Sequence, residues 1–255
     1  MKKLLLILLL SANTLFSQGF GWELSPRLFE KTSEYFLGID LKFGLSQEIG
    51  DFSFYENDCQ CGKFSNGKGK RQHFAILIEK WSDNGKASYV ASLGMSLNIN
   101  LFSTKHSLPI LLPNGNETLI TYENRFESNL QNFNFTFEYK KRLFESFYFF
   151  SIGCHSFYSF QNNQKHIEKI LSPNANPFPT NPPSYNRVVS NGKINDLRNF
   201  NFHPFLSFGK DIDLGFRYYL SPYIHLSYSL LSQIKGEKWN SLQGTLGLRI
   251  MRWAN

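Results

Sequence analysis

The residues best equipped for chemistry fall at every second position. Asp40, Lys42, Glu79, Glu138, Asp211, Asp213, Arg217 and Arg249 each occupy the polar phase of a stretch whose other phase is apolar. A period of two puts such charges on one face of a strand, and opposite signs confined there should pair, because an unpaired charge in confinement is costly. Two histidines invite a nucleophile reading. His155 and Ser156 are neighbours, so alternation sends them to opposite faces. His225 and Ser227 share a face, yet no acidic residue on that stretch orients the imidazole as a triad needs, and no G-x-S-x-G elbow occurs. Catalysis is not expected. Cys59 and Cys61 form a C-x-C before Gly62, Gly67 and Gly69. A four-ligand metal site needs further partners at recognisable spacing, and a disulfide here would close a small, strained ring. Neither reading is favoured, and no cofactor is expected. Cys154 reads as a small apolar wall residue.

The elements that position these residues are strands. Tyr35 to Gln47 sets Leu37, Ile39, Leu41, Phe43 and Leu45 against Gly38, Asp40, Lys42, Gly44 and Ser46. Arg71 to Trp81 sets Phe74, Ile76 and Ile78 against His73, Ala75 and Glu79, and Val90 to Leu101 alternates almost without error. Further candidates are Asn132–Lys140, Phe147–Phe160, an unbroken Phe205–Leu220, a strand marked by Ile224 to Leu230, and a last one marked by Leu242 to Ile250. That makes about eight strands, or ten if Pro109 to Gln131 holds a hairpin around Leu119 to Tyr122. Several reach the ~9–11 residues that a tilted membrane-crossing strand requires.

The first residues give an address. Lys2 and Lys3 precede an unbroken apolar run, Leu4 to Leu10, and small and polar residues then lead to Ser17-Gln18. This is the pattern of a secretory leader over 1–17, cut after Ser17, because seven apolar residues are far short of the ~20 a spanning helix needs. Residues 18–34 are expected to form an N-terminal periplasmic segment and 35–255 a single barrel domain. The chain holds 27 basic and 20 acidic residues. Without the two leader lysines its net charge is near +5, which a solvated surface accommodates with no need for nucleic acid. Past the leader there is no other long apolar stretch and mean hydropathy is −0.31, which together exclude helical membrane spans there. Aromatic residues make up 16%, including 26 Phe and 12 Tyr, more than soluble domains carry and suited to a wall that faces lipid.

The connections sort by parity. Ser82–Lys86, Arg142–Ser146 and Ser221-Pro222 are short, whereas 50–70, 102–131 and 161–201 are long. Outer-membrane barrels have tight periplasmic turns and longer extracellular loops, while a soluble sandwich has no reason to sort its loops. On Phe133–Lys140, its turn, Phe147–Tyr158 and the Leu242–Ile250 strand ending in Arg252-Trp253, the chain resembles the bacterial outer-membrane β-barrel superfamily. The likeness is to small OmpA- or OmpX-type or porin-like barrels of Bacteroidetes-type bacteria. Many such barrels end on an aromatic read by the assembly machinery; here Ala254-Asn255 follow Trp253.

The resemblance implies an all-β, antiparallel up-and-down transmembrane barrel in a bacterial outer membrane. Its partners would be membrane lipid, lipopolysaccharide and the barrel assembly machinery, and it would be a monomer. An eight-stranded barrel is just wide enough for side chains to fill, so the charged residues are expected to plug the lumen and leave a structural or surface-interaction role. The alternative is a narrow porin-type channel for small solutes. The long loops 50–70 and 161–201, the second rich in Asn and Pro, are the places for a surface ligand.

Overall fold

The computed structural model describes residues 35–53, 63–82, 85–111, 117–143, 147–172, 175–180, 182–215 and 217–254. The leader with Ser17 and Gln18, the segment 18–34, and Cys59 and Cys61 lie outside them. Ten strands form: β1 (Tyr35–Phe52), β2 (Phe64–Trp81), β3 (Ala87–Leu111), β4 (Glu117–Arg142), β5 (Tyr148–Ile170), β6 (Asn186–Gly192), β7 (Phe200–Lys210), β8 (Ile212–Gly215), β9 (Tyr218–Tyr228) and β10 (Lys238–Ala254). Eight of them close a ring in the order β1-β2-β3-β4-β5-β7-β9-β10, and β6 and β8 pair outside it with β5 and β9. Closure is a continuous antiparallel ladder from Tyr35↔Ala254 to Asp51↔Lys238. The architecture is therefore an up-and-down barrel with eight ring strands.

Alternation turns this ring inside out relative to a soluble core. Leu45 and Leu246 are 67% exposed and Ile76 is 59% exposed, while Asp40, Glu79, Glu138 and Arg249 are buried. The two phases are those expected from the strand patterns.

The start of β1 and the end of β10 share one rim with the short β2–β3 and β4–β5 turns. At the first of these, Gly85 has φ 62°, and its amide donates to the Ser82 carbonyl at 2.8 Å. Asp83 and Asn84 of that turn lie outside the described residues. The opposite rim carries the β1–β2, β3–β4, β5–β7 and β9–β10 connections.

Three expectations need correction. First, Phe205–Leu220 is not one strand: β7 ends at Lys210, and β8 forms a short hairpin with β9 through Gly215 and Arg217, both at positive φ. Second, Ser221-Pro222 is not a turn but lies within β9. Proline is tolerated there because β9 changes neighbour at that step, pairing β8 as far as Leu220 and β7 from Tyr223 onward. Third, much of the long loops is strand. β3 and β4 stay paired to Leu111↔Glu117, whereas β2 leaves β3 at Phe102. The hairpin around Leu119 thus lengthens two ring strands and adds none.

In the same way β5 continues to Ile170, past a bulge between Gln131 and Asn132 of its partner, and β6 folds back on it. The prolines of 161–201 fall between these strands. There Phe178 and Ala175 pack on Ile120 and Ile170, and the Arg187 guanidinium lies 4.8 Å from the Phe178 ring centre. β3 to β6 therefore rise as a sheet above the ring on one side.

Candidate functional site: the filled lumen and the loop rim

The inner phase builds layers from the short-turn rim upward. Toward that rim Phe36, Leu77, Trp81, Val90 and Met251 cluster, with an ionic group set among them. Lys140 donates to Asp211 at 2.8 Å and approaches Glu79 at 3.2 Å. Ser88 and Ser221 hydrogen-bond Glu79 and Asp211. Arg142 completes the layer, 3.5 Å from Asp211 and with its guanidinium 3.9 Å from the Trp81 ring centre.

The next layer joins the ends of the chain. Register sets Asp40 opposite Arg249. Arg249 grips Glu138 with two nitrogens at 3.0 and 2.5 Å, the fork geometry that makes such pairs strong. Asp40 lies 3.6 Å from both Lys42 and Arg249 and accepts from the Tyr223 hydroxyl at 2.5 Å. Tyr223 itself packs against Gly247, where a Cβ would strike its ring. Gly247→Val should therefore displace Tyr223 and cost about 1–3 kcal/mol by overpacking, read as a lower midpoint of denaturant unfolding.

A histidine layer follows. His155 and His225 face each other through their Nε2 atoms at 3.1 Å. Lys42 Nζ lies 3.3 Å from His155, Thr136 bonds the other His155 nitrogen, and Ser207 bonds the other His225 nitrogen. His225 thus engages Ser207 and His155, with no carboxylate hydrogen-bonded to it among the described residues, and Ser156 sits on the opposite face from His155.

Higher still, Arg71 donates to Glu48 at 2.5 Å, and Trp239 Nε1 donates to the other Glu48 oxygen at 2.9 Å. Phe52, Phe64, Phe102, Phe126 and Trp239 then form an aromatic lid, sealed by Leu130, Ile194, Leu197 and Ile234. The last three arrive on the β6–β7 and β9–β10 connections, which pair at Leu197↔Ile234 over the mouth.

Six of the eight expected charged residues meet inside: Asp40, Lys42, Glu79, Glu138, Asp211 and Arg249. Asp213 and Arg217 do not, because the chain has left the ring by then. Asp213 Oδ1 instead accepts from the Gly215 amide at 2.7 Å, and exposed Arg217 lies 4.4 Å from the Trp253 ring centre. Sequence reasoning missed Glu48, Arg71, Lys140 and Arg142, although each continues the inner phase of a strand it had already found. Inside the ring, five buried acids (Asp40, Glu48, Glu79, Glu138, Asp211) then meet five buried bases (Lys42, Arg71, Lys140, Arg142, Arg249).

No protein-family model matches the chain, and no curated protein does. Among solved structures, it is similar to neisserial surface protein A, at 8% identity and TM-score 0.33, over 85% of this chain and 96% of that one. It is also similar to Ail, the attachment invasion locus protein of Yersinia pestis, at 10% identity and TM-score 0.28, over 85% and 99%. A third is the outer membrane protease OmpT of Escherichia coli, at 9% and 0.29, over 87% and 97%. The assignment of a closed barrel rests on this chain's own strand register.

Proposed function

We propose that this chain is an integral barrel of a bacterial outer membrane, with a closed lumen and a structural or surface-interaction role exercised at the loop rim. The observation that supports the reading is the side-chain packing inside the ring, where ion pairs lie among apolar residues toward the short-turn rim and an aromatic lid lies at the loop rim. An open pore would need a wetted path through these layers.

Membrane residence is supported by the apolar belt, since soluble proteins rarely expose contiguous apolar surface of more than a few hundred Å². It is supported also by the tyrosines and cations at the short-turn edge. Lys80 lies near the Tyr35 ring, Lys210 near Tyr148 and Arg252 near Tyr218, an amphipathic girdle suited to a headgroup layer. The raised β3–β6 sheet supplies the surface for contact. Its outer face carries Lys105 opposite Glu123 and Ser103 opposite Arg125, a polar face set beyond the belt.

Three measurements test this. The protein should leave membranes with detergent and not with salt, and should change gel mobility on heating. In planar bilayers it should give no steady conductance. Salt-dependent unitary steps would replace the closed-barrel reading with the narrow-channel one.

A further inference from the structure

Between the histidine layer and Glu48 lies a cavity of about 30 Å³, room for one or two water-sized particles. Its lining includes Lys42, Arg71, His73, Gln243 and Thr245, and no Asp or Glu among the described residues. Three buried polar atoms of that lining have no hydrogen-bond partner: Arg71 Nε, His73 Nε2 and Thr245 Oγ1. The first can only donate.

Arg71 spends its terminal nitrogen on Glu48 and Ser241, which leaves Nε–H free. Lys42 has hydrogens to spare as well. Its carboxylate neighbour Asp40 is shared with Arg249, each cation at 3.6 Å, beyond normal hydrogen-bond length. Glu138 is committed to Arg249 through both oxygens. Asp40, Glu48 and Glu138 are held by cations but do not line the cavity, whose lining carries cationic and donor side chains. Donors grouped in this way suit a small anion, and a buried donor left without a partner is costly.

We propose that this cavity binds one small inorganic anion of halide size, held by Arg71 Nε–H, Thr245 Oγ–H and the Lys42 ammonium. The site stands apart from any surface role, since it lies beneath the aromatic lid.

The test uses bromide as probe. Full-length barrel is refolded in detergent with sodium bromide or, at equal ionic strength, with sodium gluconate, whose anion is too large for the cavity. Denaturant unfolding should shift to higher concentration in bromide. Thr245→Val, which removes a hydroxyl with no partner and keeps the side-chain shape, should fold and lose that shift. Crystals grown in bromide should give an anomalous peak beside Arg71 Nε. Equal stability of the wild type in the two salts, an undiminished shift in Thr245→Val, or bromide peaks confined to the protein's exterior would each overturn the proposal. Loss of membrane residence would leave it standing, because the cavity is internal to the barrel.

Discussion

Arg249→Met should lower the stability of the barrel by about 3–5 kcal/mol, because it strands Glu138 as an uncompensated buried charge and removes one of the two cations beside Asp40. Arg249 is 1% exposed and Glu138 is 0% exposed, so solvent offers neither much relief. The double variant Arg249→Met/Glu138→Gln should recover a large part of the loss, since a neutral amide no longer needs a counter-ion and Asp40 still has Lys42. Reversible denaturant unfolding in phospholipid vesicles measures both. A single-variant effect within about 0.5 kcal/mol, as at an ordinary surface site, would mean that the pair is not buried in the folded protein.

Ile76→Arg is the second large effect. Ile76 lies in a row with Ile39 and Leu93, which face outward with it. In a soluble protein an arginine at such an exposed site would be nearly neutral. In a belt that faces lipid, as proposed above, it should cost about 2–4 kcal/mol. Vesicle unfolding, compared with the same substitution at Ser103 on the raised sheet, separates the two environments. Equal, small effects at both sites would place the belt in water.

The ring and its two faces were legible because the belt makes one phase strongly apolar, and eight ring strands follow from that contrast. Where the contrast fades, so did the reading. Beyond Phe102 the outward residues are Ser103 and Lys105, facing Arg125 and Glu123, so the strand continues while its period of two carries no hydropathy signal. The opposite failure occurs after Lys210: Ile212 and Leu214 keep the phase across a turn, and alternation alone cannot register a change of direction.

Four of the ten residues of the ionic core were missed for a simpler reason. Lys140 and Arg142 sit two and four residues after Glu138 on the same face, and Arg71 sits two before His73, at ends where the apolar phase had stopped marking the strand. The meeting of the two terminal strands could be anticipated, because closure of any ring forces its first and last strands together, although the register sets Arg249 opposite Asp40 and Lys42 opposite Gly247. The histidine layer could not, since it gathers residues from strands whose relative stagger only the closed ring defines.

The ladder between β1 and β10 has a consequence for the order of events as the protein is made. Asp40 emerges early and Glu138 midway, but the guanidinium that answers both is carried by the last strand. Until that strand arrives, the concave side of the unfinished sheet holds charges that only water can satisfy, and water must stay with it. The interior therefore dries last, in the step that joins the two edges. A slip of one residue at that joint would turn Arg249 outward into the apolar belt. The final strand is thus both the seam and the inspector of the seam, since only the correct register lets the water leave.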